Sequence, residues 1–331
     1  MGRIRKKFRP KSVNAAQLQE IEEAALIYPQ VGAEDFQSGF LFSQQSGKDV
    51  FEDIKAENVE ISAGKPVRLP GAERDVPSYT LKITGADGAV TVLKDRVALA
   101  GIGSNSSRNV MARKFHHFKA EDVPLAVCVI PAEIRDHAIV HGAFVGASGP
   151  VPATIHAHSG SVSKLTVGFY DAKAAAHMTG TEPNYEGVLL DAAVELQNGL
   201  KINQALAYVA VWGALADPDN PQQPLALSSI PAQTSLKKLS NKEALALAVK
   251  ITDGTDVSGL HELQRDQKLK NYARENFQDE NRRIGRIAAL QQHSIAPNIK
   301  GRRIFSADFT KNPKVAALLQ KQPRRSGASP S

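Results

Sequence analysis

Short apolar segments, separated by turn residues, follow one another between residues 78 and 215 and constrain the fold more than any other feature. Residues 95–101 and 124–130 are apolar runs of strand length. Asp87-Gly88 and Asn198-Gly199 are dipeptides typical of hairpin turns. Because most helical patterns follow these segments instead of alternating with them, the sequence predicts an α+β fold and not a doubly wound parallel sheet.

Three helices and a helical arm are predicted around these strands. Each of the three helices follows a residue whose side chain can accept a hydrogen bond from the first turn. They are residues 14–27 with Asn14 as N-cap, residues 171–178 with Asp171 as N-cap, and residues 240–251 with a capping box of Ser240 and Glu243. Residues 259–292 have a polar helical pattern, and we expect them to form one long arm packed on the core.

Several other segments have weaker patterns. Residues 153–157 and 165–170 predict two strands that are joined around residues 159–161. Residues 217–224 consist mainly of Asp, Asn, Gln and Pro, which is typical of an exposed loop. Residues 30–75 are rich in Gly, Asp and Pro and contain only weak strand signals.

The positive charge of the chain lies at its ends. The formal net charge is +7, yet residues 13–260 contain 20 basic and 28 acidic side chains. Residues 1–12 contain six basic side chains and residues 311–331 contain five, with no acidic side chain in either tail. We expect both tails to be disordered. They are either simply solvated or bind an acidic partner such as a nucleic acid, a ribosome or an anionic membrane surface.

Cysteine content and hydropathy exclude several classes of protein. The single cysteine, Cys128, excludes an internal disulfide bond. No apolar run reaches the roughly 20 residues that a membrane helix needs, and the basic start is not followed by the apolar stretch of a secretory signal. We therefore expect a cytoplasmic protein without a membrane span, and the sequence leaves its oligomeric state open.

Motifs for metals and nucleotides are weak. His156 and His158 would share one face of a strand, as in some metal hydrolases, but no third or fourth ligand has an evident source. Two ordinary residues on a half-exposed strand are the simpler interpretation. Residues 101–105 lack the spacing of a P-loop and the third glycine of a dinucleotide fingerprint. We predict neither a metal nor an organic cofactor.

Two local features could form a binding or catalytic site. Gly101 to Asn105 follow a predicted buried strand, and their N–H groups could bind a carboxylate or phosphate. The alternative is a tight structural turn. Glu182 lies in a turn that Pro183 restricts, and desolvation there would raise its pKa toward the range that suits general acid–base catalysis. The alternative is an exposed glutamate in a turn.

Taken in chain order, several segments resemble the γ-glutamylcyclotransferase superfamily, whose fold is also that of plant avirulence-induced-gene-2-like proteins and of the C-terminal domain of allophanate hydrolase. The family has a strand that leads into a Tyr-Gly-Ser-Asn loop, then further strands, a short helix, and a Glu followed shortly by Tyr. The similar segments here are residues 97–105, 127–131, 135–140 with Phe144, 153–155, 160–161, 167–170 and 181–185.

This resemblance implies a site and a reaction. Glu182 would be the catalytic acid and base, while a loop and a tyrosine would bind a small substrate that carries a carboxylate. The implied substrate-binding residues are Ile102, Gly103, Ser104, Asn105 and Tyr185. The implied reaction is cleavage of a γ-glutamyl or related amide by cyclisation. Ile102 departs from the family pattern, since the family has Tyr there. The alternatives are a non-catalytic carboxylate-binding or scaffold protein of the same fold, and a related amide hydrolase.

The resemblance covers about residues 95–215 and implies a mixed, mostly antiparallel, β-barrel-like core with flanking helices. We therefore divide the chain into consecutive units. They are a basic tail (1–12), an N-terminal extension of helix and hairpin packed on the core (13–94), the core (95–255), a C-terminal helical arm (256–310) and a second basic tail (311–331).

Overall fold

A computed structural model of the 331-residue chain describes residues 14–45, 48–116, 118 and 125–306. The two basic tails predicted for residues 1–12 and 311–331 lie outside the described residues. Helices and strands both occur along the described chain, and the prediction of a mixed α+β fold is confirmed.

The described residues form six α-helices and eighteen strands. The helices are α1 (Ala15–Leu26), α2 (Arg108–Phe115), α3 (Ala172–Gly180), α4 (Asn241–Asp253), α5 (Glu262–Gln278) and α6 (Glu280–Gln291). The strands are β1 (Gly39–Gln45), β2 (Lys48–Ile54), β3 (Val59–Ala63), β4 (Tyr79–Thr84), β5 (Val90–Gly101), β6 (Ala126–His141), β7 (Ala153–Tyr170), β8 (Tyr185–Leu190), β9 (Val194–Leu196), β10 (Lys201–Ile202), β11 (Leu206–Ala210), β12 (Ala214–Asp217), β13 (Asn220–Pro224), β14 (Ala226–Leu227), β15 (Ala232–Gln233), β16 (Lys238–Leu239), β17 (Ser294–Ile295) and β18 (Gly301–Phe305).

One large sheet organises the molecule. Fifteen strands belong to it, and its main path runs β10-β9-β6-β7-β5-β11-β8-β18. Its pairs are antiparallel apart from β5 with β11 and β14 with β16. The path ends at β10 and β18, so the described strands do not close into a barrel. Three further strands, β13-β12-β17, form a small second sheet.

The large sheet is buried on both faces in its central strands. In β5, Val97 and Leu99 belong to one hydrophobic core, while Ala98 and Ala100 belong to another on the opposite face. Helices α2 and α3 contribute to the first core through side chains such as Phe115. Burial on both faces explains why the central strands are continuous apolar runs without alternation.

The predicted break around residues 159–161 is wrong, because β7 continues through it as one strand of 18 residues. Gly160 has a φ of 76°, and Asp136 on the neighbouring strand β6 has a φ of 56°. The Gly160 N–H donates to the Asp136 carboxylate over 2.8 Å, at a shift in the β6–β7 register. The glycine therefore accommodates a β-bulge and not a chain reversal.

The predicted helix starts are confirmed. The Asn14 and Asp171 side chains accept hydrogen bonds from the backbone of α1 and α3, and Ser240 forms its capping box with Glu243. The prediction of one long helical arm over residues 259–292 is wrong in detail. Asp279 ends α5 with extended backbone and caps α6, so the arm consists of two helices.

Two hairpins were not predicted. Strands β1 and β2 lie within residues 30–75, and β1 also pairs with β6, which buries Phe40 and Phe42. Residues 217–224 are not a loop, since β12 and β13 form a hairpin there. Strand β13 is nevertheless mostly exposed, which explains its polar composition.

A third core lies between the strands and the C-terminal helices. Trp212 is fully buried there among side chains of α4, α5 and α6. Helix α1 joins this layer by packing on α5, where Arg274 Nε donates to Glu22 Oε1 over 2.5 Å. Because α1 is anchored on α5, the turn that follows α1 is held close to the end of β5.

Candidate functional site

The loop after β5 is a tight and well-packed turn. It forms a 3₁₀ helix over Gly103–Ser106, and the Ser106 hydroxyl donates to the Gly101 carbonyl over 2.8 Å. Gly103 has a φ of 63°, and a Cβ there would lie 2.8 Å from the Cβ of Ala153 and 3.0 Å from the Tyr28 hydroxyl oxygen. Both the backbone conformation and the lack of space therefore require glycine at residue 103.

Glu182 lies in the turn between α3 and β8 and faces this loop. Its own carbonyl accepts a hydrogen bond from the Tyr185 N–H over 3.2 Å, which fixes the turn. Its side chain is 13% exposed. Oε1 accepts hydrogen bonds from Asn105 Nδ2, at 3.1 Å, and from Lys114 Nζ. Oε2 accepts no hydrogen bond from the described residues, so one carboxylate oxygen is available to a ligand.

Lys114 completes a three-residue cluster with Glu182 and Asn105. It lies in the last turn of α2, its side chain is 16% exposed, and its Nζ donates to Asn105 Oδ1 over 2.6 Å. The Lys114 carbonyl lies 2.7 Å from Nε2 of His177 on α3. The ammonium group balances the carboxylate charge in this partly buried position.

Three tyrosines surround the cluster. The Tyr28 hydroxyl accepts a hydrogen bond from the Ala153 N–H over 2.9 Å, while the Tyr185 hydroxyl donates to the Ala153 carbonyl over 2.8 Å. The Tyr208 hydroxyl lies 3.0 Å from Oγ1 of Thr179. Burial raises the pKa of Tyr28 to about 12, and burial also raises the pKa values of Tyr185 and Tyr208. All three tyrosines therefore stay protonated near neutral pH and act as hydrogen-bonding groups, not as bases.

These side chains enclose a small cavity of about 20 Å³. That volume has room for about one water molecule. The lining residues are Tyr28, Ala100, Ile102, Ser104, Asn105, Ala153, Glu182, Tyr185 and Tyr208. The structure thus brings Ile102, Ser104, Asn105, Glu182 and Tyr185 together, although they come from two separate segments. Gly103 lies in the same loop and packs against Ala153.

Sequence reasoning missed Lys114, Tyr28 and Tyr208. A signal for Lys114 exists, because it shares a helix face with the buried residues Val110 and Met111, at spacings of four and three. A lysine on an apolar stripe has to find a partner as its charge is buried. Tyr28 has no comparable local signal, since its contact with Ala153 spans 125 residues.

The histidines do not form a metal site among the described residues, where no group of three His, Cys, Asp or Glu side chains could hold an ion. Burial, together with the nearby His158 and His137, lowers the pKa of His156 to about 4. A larger groove of about 540 Å³ lies beside α4. Lysines 237, 242 and 250, which line this groove, form ion pairs with carboxylates.

Within the described part of the chain, no helix combines the length and the apolar character that crossing a membrane requires.

The strongest candidate site is the arrangement of Glu182, Lys114 and Asn105 beside the loop, where partly buried charged and polar side chains line or adjoin a cavity. Comparison of this chain with protein-family models, with curated proteins and with solved structures finds no match in any of the three.

Proposed function

We propose that the protein is a γ-glutamylcyclotransferase-like enzyme that cleaves a γ-glutamyl or related amide, with Glu182 as its general acid and base. The observation that carries the proposal is the position of Glu182 beside the Gly103–Ser106 loop, where Oε2 accepts no hydrogen bond from the described residues. The proposal includes a γ-glutamylcyclotransferase-like, barrel-like organisation of the core at residues 95–255.

The reaction requires one proton carrier. The α-amino nitrogen of the substrate attacks the γ-carbonyl carbon and forms a C–N bond, and the bond to the leaving nitrogen then breaks. Glu182 takes the proton that the attacking nitrogen loses and returns it to the leaving nitrogen, which departs as a free amine. The other product is 5-oxoproline, so atoms and protons balance without a cofactor.

Positioning supplies the rest of the catalysis. The substrate chain must bend so that its amine reaches its own γ-carbonyl, and a shaped cavity favours that conformation. Tyr28 and Tyr185 hold the backbone of Ala153 from both sides, which makes one wall rigid. Ile102 gives the opposite loop an apolar surface and no hydroxyl, so Tyr28 contributes the phenol nearest to this loop.

A second candidate is a non-catalytic protein that binds a carboxylate ligand in the same cavity. Two observations favour it. The Glu182 charge is already neutralised by Lys114, and the cavity has a volume of only about 20 Å³. A related amide hydrolase is a third possibility. In that case Glu182 would activate water and the product would be glutamate, not 5-oxoproline.

The test is incubation of the full chain with a panel of γ-glutamyl dipeptides, with 5-oxoproline, glutamate and free amine measured by mass spectrometry. We expect 5-oxoproline from the wild type and a loss of about 100-fold or more in Glu182→Gln. The matched control is Glu186→Gln, four residues away, whose partly exposed carboxylate lies 3.6 Å from Arg303.

Other outcomes of this incubation would contradict the proposal in different ways. Equal turnover in wild type and Glu182→Gln would remove Glu182 from the mechanism. Glutamate in place of 5-oxoproline would indicate the hydrolase. Saturable binding of γ-glutamyl dipeptides without any turnover would reject the enzyme in favour of the non-catalytic protein.

A further inference from the structure

Lys114 is the only cation among the described residues that contacts Glu182 or Asn105. An ammonium group has three N–H donors, and two of those of Lys114 are used, on Asn105 Oδ1 and Glu182 Oε1. Among the described residues, one N–H donor of Lys114 and one oxygen of Glu182 therefore have no hydrogen-bond partner, and the two groups are in contact with each other.

The backbone at Lys114 is fixed, while its side chain has freedom to move. Phe115, the next residue, is fully buried, and its ring lies 5.1 Å from that of His177, which also contacts the Lys114 carbonyl. The lysine side chain itself is a flexible four-carbon stem. The ammonium group can thus leave Glu182 without any movement of α2.

The Lys114–Glu182 contact occupies the carboxylate that a substrate would have to reach. Glu182 and Asn105 line the cavity of about 20 Å³ and Lys114 does not, so a substrate group that pairs with Glu182 Oε1 has to displace the ammonium group. Separation leaves one positive and one negative group facing each other. A zwitterion restores both interactions, since its carboxylate pairs with the lysine and its ammonium pairs with the glutamate.

We infer that Lys114 binds the α-carboxylate of the substrate, and that its contact with Glu182 is the resting state which a zwitterionic α-amino-acid group displaces. This inference rests on the proposed function for the identity of the ligand. It defines the substrate class more narrowly, as amides whose glutamyl part has both a free α-amine and a free α-carboxylate. Glu182 would then receive the ammonium, which has to lose one proton before its nitrogen attacks and a second as the C–N bond forms. The leaving nitrogen takes up both protons in turn and departs as an ammonium.

The test measures binding and not turnover. L-Glutamine, L-glutaminamide, in which the α-carboxylate is a carboxamide, and N-acetyl-L-glutamine are titrated into the full chain by calorimetry. We expect the wild type to prefer glutamine over glutaminamide by about tenfold or more, because a hydrogen bond to a charged group is lost. N-acetylation should weaken binding as well, since it removes the ammonium group.

The variants are Lys114→Met, which keeps the length of the side chain without its charge, and Arg113→Met, an exposed neighbour on the same helix whose Nη1 lies 3.4 Å from Gln30 Oε1. Lys114→Met should bind glutamine and glutaminamide equally, and Arg113→Met should keep the wild-type preference. If Lys114→Met does not fold, Lys114→Gln, which can still hydrogen-bond to Asn105, should give the same loss.

The inference is overturned if a folded Lys114 variant keeps the preference, or if the wild type has none or binds neither compound at millimolar concentration. Failure of the proposed function is a different result. A Lys114-dependent preference without turnover of γ-glutamyl dipeptides would reject the enzyme and leave the binding role of Lys114 standing. Turnover of γ-glutamyl dipeptides without that preference would reject the binding role of Lys114 and leave the proposed enzyme standing.

Discussion

Two partly buried ion pairs in this chain differ in how many of their side-chain donors and acceptors form hydrogen bonds. In the helical arm, Arg286 is 5% exposed and donates to Asp253, Glu275 and Asn276, with its guanidinium carbon 3.7 Å from the centre of the Tyr272 ring. At the candidate site, the only acceptors of Lys114 among the described residues are Glu182 and Asn105.

This difference in hydrogen bonding determines which of the two pairs can respond to a ligand. A planar guanidinium that is bonded on several edges can be released only by breaking many hydrogen bonds together, so it stabilises one arrangement. The ammonium at the candidate site has an unused donor, and its partner has an unused oxygen. Incomplete bonding is therefore the feature that makes the second pair suitable for binding.

The largest effect on the free energy of unfolding is expected from replacement of Arg286. Arg286→Met leaves the Asp253 and Glu275 carboxylates without their shared cation, and we expect a loss of about 3–5 kcal/mol in the free energy of unfolding. Urea denaturation measures it. Arg282→Met is the control, since this 51% exposed side chain also pairs with Glu275 and should cost about 1 kcal/mol or less. Equal losses in both variants would mean that burial does not distinguish them.

The next largest effect on stability concerns His141, a buried group that forms no salt bridge with the described residues. It is 0% exposed, and its Nε2 lies 3.1 Å from the Leu239 carbonyl oxygen. Burial lowers the pKa of His141 to about 4, despite opposing effects of backbone hydrogen bonds and of Glu243. The unfolded chain therefore binds this proton first as the pH falls. Stability should be constant above about pH 6.5 and fall between about pH 6.5 and 4, by about 3 kcal/mol for this residue.

Urea denaturation at a series of pH values compares the wild type with His141→Gln. The variant should lose less stability than the wild type between pH 6.5 and 4, while the difference between the two proteins should be constant above pH 7. Parallel profiles over the whole range would show that His141 does not carry this pH dependence. His156, whose pKa is lowered in the same way, contributes equally to both proteins.

The smallest effect is expected at the candidate site. Lys114→Met leaves Glu182 with Asn105 alone, and because its side chain is still 13% exposed we expect a loss of about 1–3 kcal/mol in the free energy of unfolding. Glu182→Gln should cost about 1 kcal/mol or less, and the double variant should be more stable than Lys114→Met. A double variant as unstable as the sum of the single ones would mean that the two groups do not interact.

Local patterns predicted the elements whose signals are local. Asn14, Asp171 and Ser240 cap helices because a capping bond joins residues three apart in the chain. Strands β4 and β5 form a hairpin whose turn contains Asp87-Gly88, as predicted. Gly160 was misread because a glycine with positive φ fits a bulge as well as a turn, and only pairing with β6 distinguishes the two.

The candidate site was predictable only in part, for a similar reason. The loop and Glu182 could be found in the sequence because each has a distinctive local composition. Their contact with Lys114 depends on how α2 is placed on the sheet, and the contribution of Tyr28 depends on α1 packing against α5. Neither placement leaves a pattern within one segment, so the cation and the nearest phenol of the site were missed.

The alternation of side chains along the central strands affects errors in strand pairing. In residues 97–100 of β5 and 127–130 of β6, neighbouring residues belong to two different cores, so both stretches are packed on each face. A shift of either strand by one residue would exchange the contents of the two cores and misfit large side chains in both. Strand slippage is therefore penalised twice, which lets these short apolar stretches adopt a single alignment without polar residues to mark the correct face.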